Sequence, residues 1–183
     1  MDEQRKDWFQ KVKLKMTKKY FIELSNYNIW ANNIVCNWLE KITEEQWDQT
    51  IISSFNSIQK TVLHMIGAEH VWAERMNGVA VPVWIPGSFK GTKDEHIALM
   101  KKTSEAVKNF VIAFDENKLQ TKLFFKRING EENLMPFYQI LSHVFNHSSY
   151  HRGQLVTMLR QVGFTNVSST DLSLFYKQMN DAE

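Results

Sequence analysis

Three histidines fall at four-residue intervals in one stretch, His143, His147 and His151, and a fourth, His64, lies far upstream. Residues four apart on a helix stack on one face, so adjacent imidazoles of this run can turn their nitrogens toward a common point. Neutral imidazole is a ligand for divalent zinc, nickel or iron, and that is the chemistry the spacing suggests. Spacing alone does not say which two of the three share an ion.

Each helical residue turns by about 100°, so a step of four drifts by about 40°. The apolar stripe of this helix is built by Phe137, Ile140, Val144, Leu155 and Met158. On the same wheel His151 falls inside the stripe, His147 at its edge and His143 toward the polar side. His147 and His151 are therefore the expected pair. Two ligands seldom hold such a metal firmly, and a third is expected from another helix, leaving a position open for water. His64 is the candidate, in line with Ala68 and Val71 beside a second apolar stripe. His70 is turned to another face, and Glu69-His70 lacks the His-Glu-x-x-His spacing of a zinc-protease helix. His96, in the first turn after a capping pattern, is expected to be exposed.

These side chains need long helices to carry them. Leu24, Tyr27, Ala31, Ile34, Val35 and Trp38 recur at helical spacing over about residues 18–40. Thr43-Glu-Glu-Gln46 is a capping box that opens a short turn. A second long helix is expected to start at a cap on Asn56, pass through His64 with Val62, Met65, Ile66, Trp72 and Met76 inward, and stop before Gly78. Residues 77–91 hold two prolines and three glycines and read as a long loop covering one end of the site. A second capping box, Thr92 to Glu95, opens a third helix through Phe114. Leu123, Phe125 and Ile128 then alternate with polar residues ahead of Asn129-Gly130, the signature of a small β-ribbon. Pro136 suits the first position of the fourth long helix, which runs to Gly163. A short helix is expected over residues 170–178. The whole reads as an all-α four-helix bundle with a long crossover loop, residues 18–180, behind a basic extension, residues 1–17.

Composition narrows the function. The chain has 183 residues and a formal charge of +2, but residues 1–19 carry seven basic and three acidic side chains, so the rest is slightly acidic. That distribution argues against nucleic-acid binding by the body, and the opening segment reads as a solvated extension. No apolar run nears the ~18 residues of a membrane span, and no secretory leader is legible, so a cytoplasmic location is expected. The single cysteine, Cys36, lies in an apolar stripe and reads as a buried structural thiol.

The stretch His143-Val-Phe-Asn-His147-Ser-Ser-Tyr-His151-Arg-Gly-Gln154 resembles the signature helix of the DinB-like (damage-inducible) metalloenzyme family. Tyr27-Asn-Ile-Trp-Ala-Asn32 resembles its first-helix motif, and Asn56 to His64 is similar to the lead-in to its second-helix ligand. The resemblance implies an up-up-down-down bundle, commonly a homodimer, with one divalent ion on His64, His147 and His151. It also implies kinship with S-transferases and isomerases that use low-molecular-weight thiols such as bacillithiol or mycothiol. The expected function is a metal-dependent enzyme on a small-molecule substrate, either a thiol S-transferase or a hydrolase. The rival reading is a non-catalytic metal-binding stress or scaffold protein. Arg152 and Gln154 are assigned to packing, capping or dimer contacts, and Trp30 to structure, while Asn146 and Tyr150 are candidates to orient ligands.

Overall fold

The computed structural model describes residues 16–127 and 129–182. The expectation for residues 1–15 of the basic extension, and that for Ile128, lie outside the described residues. Among the described residues six α-helices and one hairpin follow in order: α1 Lys18–Leu39, α2 Glu44–Asp48, α3 Ile58–Met76, α4 Lys93–Ala113, β1 Lys122–Lys126, β2 Glu132–Pro136, α5 Phe137–Gln161 and α6 Leu172–Asn180. Helices α1, α3, α4 and α5 form a four-helix bundle in which α1 and α3 each pack against both α4 and α5.

Caps define most of the boundaries. Thr43 and Thr92 each close a full capping box, with Gln46 and Glu95 reaching back to the cap amide. For α3 the cap is Ser57, whose Oγ accepts from the Lys60 amide at 3.2 Å, and not Asn56. Asn56 instead takes a left-handed conformation, φ 61°, which an Asx side chain tolerates, and turns the chain into the helix. Pro136 sits one place earlier than expected, ending β2 in an extended conformation as the residue that precedes α5. The ribbon pairs Leu123 with Met135 and Phe125 with Asn133. Helix α6 docks Phe175 edge-on against Tyr27 and tilted against Trp30, giving Trp30 the structural role expected of it.

Two apolar clusters fill the bundle. One joins Val35 and Leu39 of α1 to Ile58 and Val62 of α3, Ile97 and Met100 of α4, and Leu155 and Leu159 of α5. The other joins Phe21 of α1 to Ala73 and Met76 of α3, Val107 of α4, and Ile140 and Val144 of α5. The end of α1 thus meets the start of α3, the start of α4 and the end of α5. Helices α1 and α5 run one way and α3 and α4 the other, so the order is up-down-down-up and the expected up-up-down-down order is corrected. Apolar periodicity marks a buried face but not the direction of the axis, which the connections decide. Trp47 and Ile51 keep the first connection packed in one cluster. Residues 77–92 return the chain along the length of α3 on the bundle's side, with a 3-10 turn at Ile85–Gly87, and this loop flanks the site, Trp84 standing edge-on to His64. Cys36 is fully buried, and burial pushes its thiol up to about 11. No helix among the described residues is long and apolar enough to cross a membrane.

Candidate metal centre

His64 from the middle of α3 meets His147 and His151 from α5 on the seam between the two helices. His147 Nε2 lies 3.2 Å from His64 Nε2 and 3.1 Å from His151 Nε2. One ring nitrogen from each of the three lies within 4.8 Å of the others. Two imidazole nitrogens sharing one ion at about 2.1 Å stand roughly 3 to 3.4 Å apart, so the donor set fits a single divalent cation. His151 is buried and the other two are half-buried. His143 stays outside, exposed and edge-on to Trp72 with ring centroids 5.5 Å apart, as the helical wheel requires. His70 takes no part in the cluster. His96 overturns its expectation: it is 1% exposed, because Trp47 and Phe89 close over the start of α4 with their rings edge-on to it.

Neighbours fix the rings. Gln154 Oε1 stands 2.7 Å from His151 Nδ1 and can only accept, so Nδ1 carries the proton and Nε2 presents its lone pair. Gln154 Nε2 donates in turn to Tyr150 Oη at 3.0 Å. Tyr150 is thus placed as anticipated, while Gln154, assigned to packing, touches the site directly. Its position three residues beyond His151, one turn along the same face, is the signal that could have found it. Phe55 stacks on His64 with centroids 4.2 Å apart. Asn146 is exposed and lines a separate groove with Tyr27 and Ser149.

Crowding keeps these bases neutral. Burial, reinforced by His151, pushes His64 down to about 4. Burial, with His151, His64 and His143 nearby, pushes His147 down to about 3. Both values lie below the ~6.5 of an unfolded histidine, so between pH 6.5 and about 3 the unfolded chain binds protons that the folded chain refuses. The contribution to stability is therefore complete above pH 6.5 and is lost as the pH falls toward 3. The metal-free chain should show a urea midpoint that declines from pH 7 to pH 4, and a His64→Asn/His147→Asn double variant should show a shallower decline. Equal slopes would contradict the assignment.

Behind the triad lies a buried polar layer that the sequence reading did not recognise. Glu69 of α3 is 2% exposed, and its Oε1 accepts from Asn28 at 2.8 Å, Asn32 at 3.2 Å and Ser148 at 3.0 Å. Ser104 Oγ of α4 lies 2.8 Å from Glu69 Oε2. Arg152, 1% exposed, donates to the Asn28 and Asn32 carbonyl oxygens at 2.7 and 2.9 Å and stands over the Tyr27 ring. The two asparagines relay between anion and cation, so all four long helices are tied at one level between the two apolar clusters. The available signal was a polar residue on the inward stripe of each of four helices at once.

The crossover closes against α3 at Gly67, one turn past His64. A Cβ built there would stand 2.6 Å from Pro86 Cδ and Cγ, closer than atoms tolerate, so this glycine is required by the close approach. Gly67→Ala should push Pro86 and Trp84 outward, costing about 1 to 3 kcal/mol of stability. Urea unfolding checks this, and an unchanged midpoint would show that the crossover is not seated on α3.

Fold and cluster together define the class: a four-helix bundle with three histidines gathered between its second and fourth long helices. The model of the DinB family matches residues 11–181, and the chain belongs to the DinB family. It is 29% identical over 161 residues to Protein DinB of Bacillus subtilis (strain 168), covering 85% of this chain and 93% of that one. Among solved structures it resembles a DinB-like protein from Bacillus cereus ATCC 10987, with TM-score 0.67 and 19% identity over 85% of this chain and 99% of that one. It also resembles a DinB-like protein from Bacillus subtilis, with TM-score 0.61 and 17% identity over 81% and 96% of the two chains.

Proposed function

We propose that this chain is a metal-dependent enzyme in which His64, His147 and His151 hold one divalent ion, zinc, nickel or iron, and a small thiol or water attacks a small-molecule electrophile. The observation that carries the reading is the convergence of three imidazoles beside an open cavity of about 550 Å³ that His64 lines. A scaffold site would favour a fourth protein ligand, and among the described residues the cluster contains only these three. A bound divalent ion would lower the pKa of a coordinated thiol or water and so supply a nucleophile near neutral pH. The chain's own part is positional: Gln154 holds the His151 ring in one tautomer, and Phe55 packs flat on His64. Among the described residues no carboxylate stands in the cluster, and Glu69 is committed to the buried layer.

Cobalt-substituted protein tests the reading. Coordination of a low-molecular-weight thiol should add a charge-transfer band in the near ultraviolet, and the same thiol should be consumed against an electrophile. A panel of thiols that leaves the spectrum unchanged would remove the thiol-transfer form of the proposal. Elemental analysis of untagged protein identifies the resident ion.

A further inference from the structure

The cavity beside His64 has a chemistry of its own. It lies between α3, the crossover and the start of α4, and at about 550 Å³ it falls within the range of small-molecule sites. Its apolar walls are Phe55, Trp84 and Phe89, while Lys60 and Lys90 stand at its rim. Lys60 precedes His64 by four residues, about 6 Å along the same face of α3. Lys90 follows Phe89, which packs on His96 at the start of α4 with centroids 4.9 Å apart. The cationic end is thus the end away from the triad. Among the described residues neither lysine meets a carboxylate within ion-pair distance. Glu95, beside Gly91 at this end, directs its Oε2 to the Thr92 amide at 2.7 Å. The wall also holds His96, whose Nδ1 donates to the Thr92 carbonyl at 2.8 Å and whose buried Nε2 finds no partner among the described residues.

From this arrangement we infer that the groove binds an organic anion with an aromatic or apolar body, its carboxylate on Lys60 and Lys90 and its opposite end toward His64. Aromatic walls without lysines would favour a neutral body, and surface lysines without walls would select only charge. Together, lining one cavity, they select both. The inference rests on the proposed metal site only for the direction in which the ligand is laid, since none of the groups that bind the body or the charge is a histidine of the triad.

Calorimetric titration of the full chain, metal-loaded and metal-free, with 2-naphthoate and the uncharged 2-naphthamide tests this. Naphthoate should bind about tenfold tighter than naphthamide to the metal-free chain at low salt. Lys60→Gln/Lys90→Gln, both changes at exposed positions, should reduce that preference to under about twofold and leave naphthamide binding unchanged, while Trp84→Leu should weaken both ligands. Equal affinity for the two ligands, or a preference that survives the double lysine change, would overturn the inference. The two proposals fail separately. A His147→Ala protein that has lost its metal but still prefers naphthoate leaves the groove standing, whereas metal retained without any preference leaves only the triad.

Discussion

With His64, His147 and His151 holding a divalent ion as proposed, His147→Ala protein should emerge from purification without it, its affinity lowered by more than about 100-fold. His147 is the residue to remove because it is central, with its Nε2 3.2 Å from His64 and 3.1 Å from His151. Losing a partner that merely orients a ligand costs about 10- to 100-fold in metal affinity, and losing the ligand itself costs more. Gln154→Ala gives the matching intermediate effect, about 10- to 100-fold, since it frees the His151 ring while all three donors remain. His143→Ala should keep the parent's metal content, because that side chain faces Trp72 outside the cluster. Metal content per chain by elemental analysis reads all three variants. A His147→Ala chain at full occupancy, or a metal-free His143→Ala chain, would show that the cluster has been assigned to the wrong histidines.

The second large effect concerns stability and needs no metal. Glu69→Leu leaves the Arg152 guanidinium buried without its compensating anion and takes an acceptor from Asn28, Asn32 and Ser148. Breaking one side of a buried charged network costs about 3 to 5 kcal/mol. For a domain of this size that is a fall of about 10 °C in melting temperature. Arg152→Met should be comparably severe, and the Glu69→Leu/Arg152→Met double variant should recover part of the loss, because no charge is then left stranded. Thermal and urea unfolding of the three variants measure it. Single variants that unfold like the parent, or a double variant whose loss is the sum of the two, would mean that the residues do not act as one network. The same layer carries Ser148 and Arg152 beside His147 and His151, so it fixes the height at which α5 meets α3. The Glu69→Leu chain should therefore also hold its metal less firmly.

Much of this architecture was legible in the chain because it is written in local terms. The capping boxes at Thr43 and Thr92, the Asn129-Gly130 turn and the apolar stripes of four helices are short-range patterns, and each marks an element that the structure contains. The choice of His147 and His151 over His143 followed from the same rotation that buries Val144 and Leu155. What local pattern could not supply was the environment created by distant segments. His96 was expected to face solvent because its own helix turn is polar, yet Trp47 and Phe89 arrive from two other parts of the chain to cover it. Gln154 was within reach of a local argument, one turn from His151.

By itself, then, the sequence determined which faces of the helices turn inward, where most helices start, and that three imidazoles lie on inward or near-inward positions, since each of these depends on residues within a turn or two of one another. Only the tertiary structure decided the up-down-down-up order, the joining of Asn28, Asn32, Glu69, Ser104, Ser148 and Arg152 into one buried layer, and the aromatic and cationic groove beside His64. Those depend on axial direction and register between helices, which hydrophobic periodicity leaves free. The path of the crossover along α3 and the pairing of buried polar groups fix them, because an unmatched charge or amide in the core costs more than any shift of the apolar contacts would return.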